Sequence, residues 1–191
     1  MTEKSLKQIL HEQRKYAHFF EWPDKQLKER GVVECLLEGM QFNGLIPFSS
    51  LRVGPSPNQA PDCIAENNTG ETVAIEVTEF VSSKAIEMNQ RGKDVYRNWK
   101  PDEVVNELQN IITKKDEVKY FGGPYSKIVL VIHTDELVLD HEAYSTILSE
   151  AKFEAQNIAE VYFLFSYRPQ VETYSYVRLK VASNAPLEPI R

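Results

Sequence analysis

Pro61-Asp62-Cys63-Ile64-Ala65-Glu66-Asn67-Asn68-Thr69-Gly70-Glu71-Thr72-Val73-Ala74-Ile75-Glu76-Val77-Thr78-Glu79 is the stretch of this 191-residue chain that settles its fold class. Two apolar runs flank Asn67-Asn68-Thr69-Gly70, a turn composition, so the sequence predicts a β-hairpin with strands over 62–66 and 72–80. Side chains alternate along a strand. Val73, Ile75, Val77 and Glu79 therefore share one face, and Thr72, Ala74, Glu76 and Thr78 share the other. Asp62 and Glu76, fourteen residues apart, are delivered by neighbouring strands to one edge of a sheet. Two carboxylates so placed can hold a divalent metal against a phosphate.

Elements on either side of the hairpin follow from periodicity and breakers. The first twenty residues read as a polar helix ended by Trp22-Pro23-Asp24, because proline cannot continue a helix interior. A second helix is predicted from about Asp24 to Met40, with Leu36, Leu37 and Met40 on its buried side and Glu34 and Glu38 sharing a neighbouring face. Residues 45–60, rich in Pro, Gly and Ser, read as loop with a short strand near 51–53. A long helix starts at Pro101-Asp102-Glu103. Its apolar stripe is Val104, Val105, Leu108, Ile111 and Ile112, continued by Lys115. Gly122-Gly123-Pro124 stops this segment, and 127–133 is a buried strand. A helix over 140–155, a strand over 161–167 and an edge strand over 174–181 complete the pattern. The organisation predicted is an N-terminal helix (1–22), one domain (23–183) and a tail (184–191).

This order of elements, with Asp62 after a proline and Glu76 on the next strand, resembles the PD-(D/E)xK nuclease superfamily over residues 24–135. The resemblance implies an α/β (α+β) fold with a restriction-endonuclease-like αβββαβ core, a mixed sheet flanked by helices. It implies hydrolysis of nucleic-acid phosphodiesters with Mg2+ or Mn2+ held by Asp62 and Glu76, the carbonyl of Val77 nearby. Glu34 corresponds to the helix glutamate that many members add, with Glu38 as the alternative one turn away. The chain departs from the pattern at Thr78, where the superfamily carries lysine. Lys115, at the end of the apolar stripe, is the candidate replacement, ahead of Lys114 and Lys119. A lysine in that position also suits a snorkelling role at the helix boundary. Nucleic acid, DNA before RNA, is the implied partner, and a homodimer is expected where both strands are cut.

Composition bounds these readings. Hydrophobic residues make up 42% of the chain, enough to fill a core. The apolar run Ile128-Val129-Leu130-Val131-Ile132 is too short to span a bilayer, and two cysteines, Cys35 and Cys63, cannot build a disulfide framework. A cytoplasmic protein without membrane attachment is expected. The net charge of -6 argues against non-specific coating of DNA. A local basic strip of Lys84, Arg91, Lys93, Arg97 and Lys100 could follow a phosphate backbone, although a solvated charged surface is the better explanation. Each acid also has a plainer explanation. Asp62 could be a turn residue bonding its own backbone, and Glu79 a strand end within reach of the site. Glu76 is different, because an inward carboxylate mid-strand is costly unless paired or metal-bound. His133 and Asp135 read as the polar turn after a buried strand. Loss of the motif lysine leaves a second possibility, a nuclease fold that no longer cuts and acts as a nucleic-acid or protein binding module.

Overall fold

The structure, a computed structural model, describes residues 25–55, 60–81, 99–134, 136, 139–168 and 172–183. The predicted helix over 1–20, the tail, Asp135 and the basic residues Lys84, Arg91, Lys93 and Arg97 lie outside these. The described elements are helix α1 (Lys25–Phe42), strands β1 (Phe48–Val53), β2 (Cys63–Asn67) and β3 (Thr72–Glu79), helix α2 (Pro101–Asp116), strand β4 (Lys127–His133), helix α3 (His141–Glu150), and strands β5 (Lys152–Ala155), β6 (Ile158–Arg168) and β7 (Thr173–Ser183). They form an α+β fold around one mixed seven-stranded sheet of order β1-β2-β3-β4-β6-β7-β5.

The hairpin occurs where the sequence places it, with Cys63 opposite Ile75 and Ala65 opposite Val73 in antiparallel register. Asn67 closes its turn: the side-chain oxygen accepts from the backbone N–H of Thr69 (3.0 Å) and of Glu71 (2.9 Å). Strand β3 then runs parallel to β4, pairing Glu76 with Leu130 and Glu79 with His133. A parallel neighbour needs a crossover, and α2 supplies it.

Alternation along β3 assigns the two cores. Val73, Ile75 and Val77 join Val32, Val33, Leu36 and Met40 of α1 on one face. Ala74 faces the other way, into a cluster with Val104, Leu108 and Ile112 of α2 and Tyr144 and Leu148 of α3. Both faces are thus covered, and the central strand β4 is apolar almost throughout, as a strand buried on two sides must be. Helix α2 buries its 3.6-period stripe. At its end Asp116 accepts from the N–H groups of Gln156, Asn157 and Ile158 at 2.7, 2.7 and 2.8 Å, which ties the helix to the β5–β6 turn.

Three predicted elements are corrected. The helix over 140–155 ends at Glu150, and residues 152–155 form β5, because Phe153 and Ala155 alternate into the core and pair with Val181 and Ser183 of β7. Strand β7 is therefore internal, not an edge, since β5 lies outside it. In the loop region, the predicted three-residue strand extends back to buried Phe48, with an irregularity between Ser49 and Arg52 where Ser50 adopts a φ of 52°. No helix among the described residues is long and apolar enough to cross a membrane.

Candidate active site at the end of strand β3

Antiparallel β2 begins where β3 ends, so the start of one strand meets the finish of the other. Continuing the register one step beyond Cys63–Ile75 places Asp62 opposite Glu76. Asp62 bonds across the hairpin. Its Oδ2 accepts from the Val77 N–H at 2.8 Å, which fixes the carboxylate against the neighbouring strand. The chain reaches that position through a close backbone approach: the N–H of Gly54 donates to the Asp62 carbonyl at 2.9 Å. A Cβ at residue 54 would collide with the Pro61 carbonyl, so glycine is required there.

A cleft of about 280 Å³ opens at this end of the sheet, lined by Lys25, Lys28, Glu29, Asp62, Glu76, Val77, Thr78, Glu79, Lys115 and His133. Lys115, carried on the α2 stripe, reaches Glu76 with Nζ 2.7 Å from Oε1. The two lysines weighed beside it, Lys114 and Lys119, are exposed. Glu76 is only 8% exposed. Burial above all, and next the Asp62 charge, raises its pKa above the ordinary glutamate value, while Lys115 pulls the other way.

The acid that α1 brings to this cleft is Glu29, not Glu34 or Glu38. Glu34 is exposed and accepts from Arg30 Nε at 2.9 Å. Glu29 lies four residues before Val33 and seven before Leu36, on the buried stripe of the helix, which is why it turns inward. Burial first and Asp62 second raise its pKa, and Lys25, one turn away with Nζ at 3.1 Å, opposes both. That spacing is legible in the sequence, whereas Glu34 follows from the family resemblance alone. Glu79, on the opposite face of β3, pairs with Lys28 at 3.1 Å. His133 is buried beside it, and burial followed by the Lys28 charge pushes its pKa down to about 3, so the ring is neutral. His133 thus lies in the cleft wall, while Asp135 lies outside the described residues.

Asp62 acts on both Glu29 and Glu76, Glu79 is the fourth acid of the cleft, and Lys25, Lys28 and Lys115 lie at the margins. Among the described residues no three His, Cys, Asp or Glu side chains are disposed as a ready-made metal centre. Glu76 is engaged by Lys115, Glu29 by Lys25 and Asp62 by a backbone N–H. The donor set still suits a hard cation. Magnesium needs only one or two carboxylates and fills its remaining places with water or phosphate oxygen. Burial first, and the Asp62 charge after it, raise the pKa of both Glu29 and Glu76.

A larger cleft of about 360 Å³ lies between α2 and β5, lined by Gln109, Thr113, Asp116, Glu154, Ala155, Gln156 and Ala182. Several of its polar groups are already used. Asp116 holds three N–H groups, and the Gln109 side chain exchanges two hydrogen bonds with the Glu154 backbone at 3.0 and 2.9 Å. That cleft is structural. No protein-family model matches the chain, and no curated protein matches it.

Proposed function

We propose that this protein is a metal-dependent nuclease-like phosphodiesterase of the PD-(D/E)xK kind. Asp62 and Glu76 would hold Mg2+ or Mn2+, Glu29 serves as the helix acid in place of Glu34, and Lys115 supplies the cation missing at Thr78. The observation that carries this reading is the Lys115–Glu76 contact of 2.7 Å beside an Asp62 fixed by Val77. It sets an ammonium from the next helix beside Glu76, while the strand itself offers only threonine at position 78. The order α1-β1-β2-β3-α2-β4 supports it, since this is the αβββαβ sequence of a restriction-endonuclease-like core.

When bound, the metal ion would neutralise charge on the phosphate and lower the pKa of an attacking water. The chain's own residues do the rest. Val77 N–H steers Asp62, burial keeps Glu76 from competing solvent, and Lys115 holds a proton and a positive charge beside the acids. A cation so placed orients the nucleophile and stabilises developing negative charge. Removing one such donor costs on the order of 10²–10³ in rate.

The test is incubation of supercoiled plasmid, single-stranded DNA and RNA with Mg2+ or Mn2+. Cutting by the wild type, lost in Asp62→Asn and Glu76→Gln and reduced about 10²-fold or more in Lys115→Met, is the expected result. The three substrates also separate DNA from RNA and single from double strand, and sedimentation would detect the dimer expected for double-strand cutting. A wild type that takes up no metal and leaves every substrate intact overturns the reading. Thr78 and the net charge of -6 favour one alternative, a nuclease-fold binding module without catalysis. It predicts nucleic-acid or protein binding without cleavage.

A further inference from the structure

Tyr120 follows the C-terminal end of α2, five residues after Lys115, and only 9% of it is exposed. Its hydroxyl is fully buried and lies toward the Glu76 carboxylate without making a hydrogen bond of ordinary geometry. Buried phenols normally find a partner, because an unsatisfied hydroxyl gives up its bonds to water for nothing. The ring belongs to the cluster that contains Ala74 and Leu130. Ala74 shares its strand face with Glu76, and Leu130 is the β4 residue paired with Glu76. Burial first, then the charges of Glu76 and Asp62, raises the Tyr120 pKa well above that of an ordinary phenol, so the group stays protonated and able to donate.

Lys115 has two duties under the proposed function that one ammonium cannot perform together. It now neutralises Glu76 Oε1, yet it is also the cation needed by the reacting phosphate and water. We propose that the Tyr120 hydroxyl is a second donor to Glu76, which takes up the carboxylate as Lys115 leaves it. This rests on the reading that Glu76 and Asp62 bind a divalent cation. Tyr120 is then a positioning residue: it keeps Glu76 oriented without adding a charge that would compete with the metal. A hydroxyl buried beforehand on the same face adds no desolvation at the moment of exchange.

The experiment uses the full chain with Mn2+ as the probe and compares wild type, Tyr120→Phe and Lys115→Met. Calorimetry should show Tyr120→Phe binding Mn2+ about five- to tenfold more weakly. Its melting temperature should be unchanged or higher, because the lost hydroxyl made no hydrogen bond of ordinary geometry. Addition of Mn2+ should also perturb the tyrosine ultraviolet absorbance of the wild type, and that difference should vanish in Tyr120→Phe. Equal Mn2+ affinity with the difference band retained overturns the Tyr120 assignment alone. A lower melting temperature with unchanged affinity overturns it too, in favour of a packing role. Uptake by neither wild type nor Lys115→Met, the variant freed of the competing ammonium, removes the cation reading itself and this inference with it.

Discussion

Glu76 carries an ion pair with Lys115, yet burial and the nearby Asp62 still hold its proton more tightly than an ordinary glutamate would. A carboxyl whose folded pKa is raised contributes stability that is fully present below its unfolded value near 4.5 and lost as pH rises through the folded value. Measured by urea unfolding, the stability of wild type relative to Glu76→Gln should therefore fall as pH rises above 4.5, and saturating Mn2+ should flatten that slope. His133 has the opposite sign. Its pKa is pushed down from 6.5 to about 3, so its contribution is present above pH 6.5 and lost as pH falls. At roughly 1.4 kcal/mol per pH unit, wild type should lose about 2 kcal/mol more than His133→Asn between pH 7 and pH 5. A pH profile identical in the two proteins would mean that the imidazole takes up its proton in the folded state without penalty.

Helix α1 positions Glu29, and Gly39 decides how closely that helix can lie on the sheet. A Cβ at residue 39 would run into the Tyr174 carbonyl of β7. Gly39→Ala should cost about 1–3 kcal/mol in urea unfolding, and it should weaken Mn2+ binding through the displaced Glu29. Full stability in that variant would show that α1 can shift without penalty. Elements of this kind were unevenly legible. The hairpin, α2 and β4 carry uninterrupted periodicity and sequence-local turn signals, and they occur where the pattern puts them. Residues 152–155 carry a helix-like continuation of α3, but burial of Phe153 and Ala155 against β7 wins, and pairing with a strand 28 residues away is invisible to a local window. Lys115 was findable because it extends an apolar stripe. Glu29 was findable in principle by the same test, four residues before Val33. Tyr120 was not, since it lies beyond the helix in a segment without period, and only the fold brings it to the Glu76 face.

At the scale of the molecule, an acidic protein of net charge -6 would hold nucleic acid, under the proposed function, only through a few local contacts. Lys25, Lys28 and Lys115 at the cleft would account for about three phosphates. A binding slope of about -2 to -3 in log K against log salt is then expected for nucleic acid measured in Ca2+ or another non-cleaving condition. A slope steeper than about -5 would place further cations on the track, the sequence strip from Lys84 to Lys100 being the obvious source. All of this depends on Asp62 and Glu76 acting together on a cation. The decisive measurement is calorimetric titration of Mn2+ into wild type and Glu76→Gln. The expected result is about one ion bound per wild-type chain and at least tenfold weaker binding in the variant. A wild type that binds no Mn2+, or a variant that binds it equally well, would contradict a metal-dependent site at the end of β3.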